Sequence, residues 1–316
     1  MSALAGNGTV ITTVHMIVTC SNRKTRAVPG HLRLANIPGA TTAQRARKWI
    51  TRLDNEKSTL PIVARELYAG EQWAIARALP DRGLAHEKVR LWACSAGYGL
   101  IPATAPIHAY AATFTTGHAD SVTGKTARWW QALGDWSGPD PAQPRTIRAL
   151  AEADPGAVFM LMLSPPYMQA CQDDITAACE MISNLDRFLL ISAGARKLRD
   201  LAAILVPSDA RLQHCLGGSR QALNVRVGES LLAAGIRSHT DASAYLSNLL
   251  RAQPPIKRYD RKKLSDEEVM SLIRDGLARS PGASASRLLR EFRDEGSACE
   301  QERFGQLHQK LTGGHA

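Results

Sequence analysis

Val89-Arg-Leu-Trp-Ala-Cys-Ser-Ala-Gly-Tyr-Gly-Leu-Ile-Pro102 is the stretch on which the reading of the fold turns. A short apolar run, Leu91 to Cys94, breaks into Ser95-Ala96-Gly97-Tyr98-Gly99. Buried strands of a parallel α/β sheet commonly end this way. Glycine lets backbone approach a ligand, and ligands gather at the carboxyl ends of parallel strands. The same residues also describe a tight turn after an ordinary strand, and the rest of the chain has to weigh the two.

Working outward, Val10 to Cys20 is rich in β-branched residues and predicts a central strand. It runs into the polar, cationic Ser21-Asn22-Arg23-Lys24. Ala157 to Leu163 predicts a buried strand entering Ser164-Pro165-Pro166-Tyr167. Arg187 to Ile191 predicts another, entering Ser192-Ala193-Gly194-Ala195. A shorter strand is expected near Arg211 to Leu216, before Gly217-Gly218-Ser219-Arg220. Helical patterns lie between them: Ala43–Leu53, Pro61–Leu79 with Pro80 as its stop, Thr126–Leu133, Arg145–Ala153, Met168–Leu185, Arg196–Leu205, Gln221–Ala234 and Asp241–Ala252. Alternation of this kind predicts an α/β fold, a mostly parallel sheet with helices on both faces. The recurring small polar residues at strand ends predict one shared rim. Pro102 to Gly124 is a long polar loop, a length that is often functional.

Composition narrows the partners. The chain has 316 residues, a net charge of +10 and a pI of about 9.6. That excess favours a polyanion such as DNA, or else makes a basic, soluble surface. No apolar run reaches membrane-span length, and Met1 to Thr9 lacks the pattern of a signal peptide. A cytoplasmic protein with no membrane partner is therefore expected. Six cysteines form no CxxC pair and nine histidines are scattered. No metal is expected, and the thiols read as small buried hydrophobes. No cofactor is expected either. GxGxxG is absent after the first strand, and Gly124-Lys125-Thr126 lacks the upstream glycine of a phosphate-binding loop, position 119 being Ala. GxSxG is also absent.

The C-terminal part differs in character. Residues 1–252 form the expected α/β domain, 253–263 a basic linker and 264–316 a small all-α module. Ser265-Asp266-Glu267-Glu268 is a helix start, followed by helices near 284–294 and 298–311 with Gly296 between them. This is the outline of a helix-turn-helix. Leu288, Leu289, Phe292, Phe304 and Leu307 would form its core, with Gln301, Arg303, Gln306 and Lys310 facing outward. Gln and Arg suit base edges and phosphates. A helical cap or dimerisation element is the alternative, and the module's near-balanced charge speaks for it.

Three phrases occur in order: Thr19-Cys-Ser-Asn-Arg-Lys24, Ala64-Arg-Glu-Leu-Tyr-Ala-Gly70, and Cys94-Ser-Ala-Gly-Tyr-Gly-Leu-Ile101 followed by Ile107 and Tyr110. Together they resemble a bacterial and phage domain family related to the YaaA peroxide-stress proteins. The family is also similar to the small α/β domain of archaeosine tRNA-modifying enzymes, with a fold akin to uracil-DNA glycosylases. The likeness covers Val10 to Asp120 well and thins out toward Ala252. It implies nucleobase or nucleic-acid work. Within the same group, a phage-defence glycosylase removes glucosylated hydroxymethylcytosine from DNA. The resemblance thus implies an antiviral DNA glycosylase that leaves an abasic site. A base-exchanging transglycosylase and a non-enzymatic DNA-binding stress protein are the alternatives.

Glycosidic cleavage passes through a cationic sugar. It needs a carboxylate or Asn to place water and stabilise that charge, and a pocket for a base taken out of the stack. Glu66 is the first candidate carboxylate, or else an ion-pair partner of Arg65; Asp120 is the second. Asn22 is the candidate amide. Ser21, Arg23, Lys24 and Arg65 are candidates for holding phosphate or base, and Tyr68, Tyr98 and Tyr110 for lining the base pocket. Ser95 and Gly97 would form one wall. Ser164, Ser192, Ser219 and Arg220 would complete the rim, or simply cap the helices that follow.

Overall fold

Thr12–Thr19 (β1) is buried through its last six positions and forms the centre of the sheet. The computed structural model describes residues 11–193, 199–255 and 262–312. Among these, five strands form one mixed, mostly parallel sheet: β1, Glu87–Ser95 (β2), Gly99–Pro102 (β3), Val158–Met162 (β4) and Phe188–Ile191 (β5), in the order β3-β2-β1-β4-β5. β2 and β4 flank β1 in parallel, β5 lies parallel to β4, and β3 returns antiparallel on β2. β4 and β5 are continuously apolar and buried, β1 is buried with His15 among its apolar residues, and β2 alternates through Glu87, Lys88 and Arg90 before its second half, Leu91–Ser95, enters the core. The sheet is flanked by helices, and the predicted α/β class stands. No helix among the described residues is long and apolar enough to cross a membrane.

Several local expectations are corrected. Pro61 to Leu79 is not one helix. Ile62–Val63 pairs antiparallel with Pro106–Ile107, and helices follow at Ala64–Leu67 and Glu71–Ala76. Gly70 separates them at φ +100°, a conformation helical residues cannot take. Arg211 to Leu216 is not a strand. The Asp209 side chain accepts from the Arg211 amide and opens a helical turn that continues as Gln213–Leu216. Met168 to Leu185 divides at Cys171 into Pro165–Ala170 and Gln172–Cys179. Gly99–Pro102 is a strand where no strand was expected. Gly194, Ala195 and the start of the helix expected over Arg196–Leu205 lie outside the described residues; its described part is not an α-helix but a short 3-10 turn, Arg199–Leu201, ending in a bridge from Leu205 to Leu190.

The chain divides into two compact units near residue 254. The C-terminal unit is helical: Asp266–Arg279, Ala285–Asp294 and Gln301–Thr312. Ser265 and Glu268 form a reciprocal capping box. Val269, Ile273, Leu288, Leu289, Phe292, Phe304 and Leu307 share a small core, which includes all five residues expected there. The centre of the basic linker, 256–261, lies outside the described residues. Its end is not linker: Lys262–Lys263 pairs in parallel with Ser297–Ala298.

Candidate functional site

At the carboxyl ends of β1 and β4 the chain leaves an open cavity of about 700 Å³, lined mostly by residues with polar side chains. Thr19, Cys20, Ser21, Asn22 and Arg23 form one side, where β1 runs out of the sheet. Glu71 and Gln72, from the first turn of Glu71–Ala76, form a second. Thr113, Thr115 and His118 come from the long loop, Ser164 and Tyr167 from the end of β4, and Ser219 and Gln221 from the turn before helix Leu223–Ala233.

Several bonds hold this rim in shape. Gln72 Nε2 and Trp73 Nε1 both donate to the Thr19 carbonyl, at 2.7 and 3.1 Å. The Ser164 amide donates to Thr19 Oγ1 at 3.0 Å, joining the ends of β1 and β4. Ser21 Oγ donates to the Ala69 carbonyl at 2.7 Å and accepts from the Arg23 amide at 3.0 Å. Asn22 and Arg23 are thereby held exposed at the cavity wall. Tyr167 is buried, its hydroxyl 3.3 Å from Cys20 Sγ and 3.4 Å from Thr113 Oγ1.

The carboxylate of this cavity is Glu71. It accepts from the Ser219 amide at 3.1 Å and from Arg226 Nη2 at 2.7 Å. Ser219 and Arg226 lower its pKa, so the group is ionised at neutral pH and fixed in direction. An ionised, oriented carboxylate suits stabilisation of a developing positive charge.

The sequence candidates fall into three groups. Ser21, Asn22, Arg23, Ser164 and Ser219 line the cavity. A second group is sealed into the core behind it. Ser95, Gly97 and Tyr98 lie in the β2–β3 hairpin turn and are buried. Ser95 Oγ accepts from the amides of Gly97 and Tyr98 and bonds Tyr110 Oη at 2.6 Å. Tyr110 Oη also lies 3.0 Å from Tyr68 Oη. A Cβ on Gly97 would stand 2.3 Å from the Tyr110 ring, so this glycine admits a tyrosine rather than a ligand. Burial raises the pKa of Tyr68, Tyr98 and Tyr110, keeping them neutral. Lys24 packs against this cluster, with Nζ 4.6 Å from the Tyr110 ring centre and 5.2 Å from that of Tyr68. It donates to the Ser21 carbonyl, and burial lowers its pKa to about 8. Arg145, half-buried, staples the hairpin through the carbonyls of Tyr98, Leu100 and Trp136.

The third group lies elsewhere. Glu66 is exposed on the short helix Ala64–Leu67 and does not line the cavity. Arg65 borders a separate groove beside β2. Asp120 is a loop anchor, accepting from the Ala35 amide at 3.0 Å and from Arg33 at 3.5 Å. Ser192 is buried at the end of β5, and its hydroxyl has no hydrogen-bond partner. Arg220 is exposed outside the cavity. In the C-terminal unit Gln301 is exposed at the start of its helix, and Arg303 is partly exposed, donating to Asp266 and to the Leu264 carbonyl at the surface.

Glu71 and Gln72 were missed because Pro61 to Leu79 reads as one continuous helix, in which they carry no distinction. The signal that finds them is Gly70, which restarts a helix beside the end of β1. Among the described residues no group of three or more His, Cys, Asp or Glu side chains is placed to hold a metal. Comparison with protein-family models, with curated proteins and with solved structures yields no match.

Proposed function

We propose that the chain is a DNA glycosylase that hydrolyses the N-glycosidic bond of a modified base, with the nucleotide held in the cavity at the ends of β1 and β4. The observation that carries this reading is that Asn22, Arg23 and the oriented carboxylate of Glu71 line one open cavity. The three-phrase resemblance to the YaaA-related, uracil-DNA-glycosylase-like family supports it, as does the net charge of +10. A volume of about 700 Å³ suits a base enlarged by a sugar, such as glucosylated hydroxymethylcytosine.

In this reading Glu71 replaces Glu66 as the acting carboxylate. As the bond from C1′ to the base nitrogen breaks, its electron pair leaves with the base and C1′ becomes cationic. Glu71 stabilises that charge. The Asn22 amide places a water whose oxygen bonds to C1′, and one water proton ends on the departing base. The products are a free base and an abasic sugar. Arg23 pairs with a flanking phosphate, and the C-terminal helices act as a helix-turn-helix that adds DNA contact. The biological setting is defence against phage DNA.

Incubation with glucosylated-hydroxymethylcytosine DNA and with plain DNA tests this. Free base and alkali-labile sites are expected from the modified DNA, and neither from the Glu71→Gln variant. A folded protein that releases no base from any modified DNA removes the reading. A non-enzymatic DNA-binding role is favoured by one observation, the satisfaction of Glu71 by Arg226 and Ser219. It predicts that Glu71→Gln leaves biological activity intact.

A further inference from the structure

The structure carries a second concave feature that shares no residue with the first. Beside β2 lies a groove of about 260 Å³ with Arg65, Arg77 and Arg90 at its walls and Leu91, Trp92 and Pro102 in its floor. The three arginines come from different elements: the helix Ala64–Leu67, the end of the helix Glu71–Ala76, and β2. All three are exposed. No carboxylate lines the groove, and no ion pair is formed by any of the three guanidinium groups among the described residues.

Three like charges around one concavity repel one another, and an apolar floor strengthens that repulsion by lowering the local dielectric. An anion bound between them relieves it. Planar guanidinium forks match phosphate bidentately, whereas a point charge does not. The floor offers no stacking surface for a base, because Trp92 is 1% exposed and its indole nitrogen is engaged by His15. The groove therefore suits a sugar-phosphate segment and not a nucleobase.

Its place in the fold joins it to the main cavity. Glu71 at one end of the helix Glu71–Ala76 lines the cavity, and Arg77 at the other end lines the groove. Six residues of helix rise about 9 Å, which corresponds to roughly two to three nucleotides along one strand of DNA. We propose that the Arg65–Arg77–Arg90 groove binds the phosphate backbone two to three nucleotides from the base in the main cavity. This rests on the nucleic-acid reading given above.

The test is the salt dependence of DNA binding by the full chain, using a labelled duplex with a modified base over about 50 to 400 mM salt. Neutralising each phosphate contact lowers the slope of log K against log salt by about 0.9. The triple variant Arg65→Gln, Arg77→Gln, Arg90→Gln is expected to lower the slope by about two to three relative to wild type. Arg47→Gln, Lys57→Gln and Arg128→Gln together, exposed charges away from both sites, should leave it within about 0.5 of wild type. A thermal melt checks folding. If the triple variant does not fold, the three single changes carry the same test at about 0.9 each. An unchanged slope in the groove variant, or an equal fall in both triple variants, overturns the groove alone. A wild type that binds no DNA overturns the groove and the glycosylase reading together. A lowered slope with no base released supports the groove and removes the glycosylase.

Discussion

β1 and β2 lie side by side, with Thr19 in register with Cys94, and both run out into similar residues: Cys20-Ser21-Asn22 and Cys94-Ser95-Ala96. Their ends nevertheless meet opposite fates. β2 turns through Ala96–Tyr98 and returns as β3, so the space beyond its end is filled by its own chain and sealed by Trp49, Tyr110 and Arg145. β1 leaves the sheet, and the space beyond its end stays open. Here the small polar residues at a strand end open onto a cavity where the chain departs. Where it doubles back, the same residues satisfy a buried turn. Ser95 spends its hydroxyl on two amides and a tyrosine, while Ser21 ties down a loop that leaves Asn22 and Arg23 exposed.

The largest effects should separate these two ends in opposite assays. Asn22→Ala and Glu71→Gln at the open end are each expected to lower base release about 100- to 1000-fold, or about 2.7–4 kcal/mol. Their melting temperatures should stay near wild type. Glu66→Gln, away from the cavity, should change the rate less than about twofold. Single-turnover release on one modified duplex compares the three, and a collapse in Glu66→Gln with a normal Glu71→Gln would restore the original assignment.

At the sealed end the effect should fall on stability. Gly97→Ala puts a methyl group into the Tyr110 ring and should destabilise the fold by about 1–3 kcal/mol. Tyr110→Phe removes the hydroxyl shared by Ser95 and Tyr68 and should cost about 1–3 kcal/mol. Urea denaturation gives both values, and base release per folded molecule should remain near wild type. A specific loss of rate without loss of stability would place the Ser95–Gly99 turn in the chemistry after all.

A smaller difference is expected from Lys24, which stands between the two ends. Burial lowers its pKa from 10.5 to about 8. Between these values the unfolded chain holds the proton that the folded chain has lost. Lys24 therefore contributes stability that grows as pH rises from about 8 toward 10.5 and is lost as pH falls through 8. The buried tyrosines, with raised pKa values, act in the opposite sense above their usual value of 10. The difference between wild type and Lys24→Met, measured by denaturation at several pH values from about 7.5 to 9.5, isolates the lysine. A difference that does not vary with pH would show that the ammonium is solvated in the native state.

The sheet was legible because β4, β5, most of β1 and the second half of β2 are β-branched or apolar runs, and such runs are diagnostic where strands are buried on both faces. β3 was not. Gly99-Leu-Ile-Pro102 has neither the length nor the alternation of a strand, and its pairing depends on Gly99 adopting φ +73°. The same holds for the site. Asn22, Arg23 and Ser164 follow from strand ends that can be read locally, whereas Ser219 was expected after a strand at Arg211–Leu216 that is instead a helical turn. Glu71 does not follow locally, since its role comes from a helix break at Gly70 and from partners at Ser219 and Arg226, far along the chain. Glu66, five residues earlier, has the same chemistry in the sequence, and only the three-dimensional path tells them apart.

The most direct measurement is a structure of the full chain with a short duplex carrying a non-hydrolysable modified nucleotide. The nucleotide is expected in the cavity between Asn22 and Ser164, with its sugar carbon facing the Glu71 carboxylate. A nucleotide bound against the Ser95–Gly99 turn or beside Glu66, with the β1 end empty, would contradict the account.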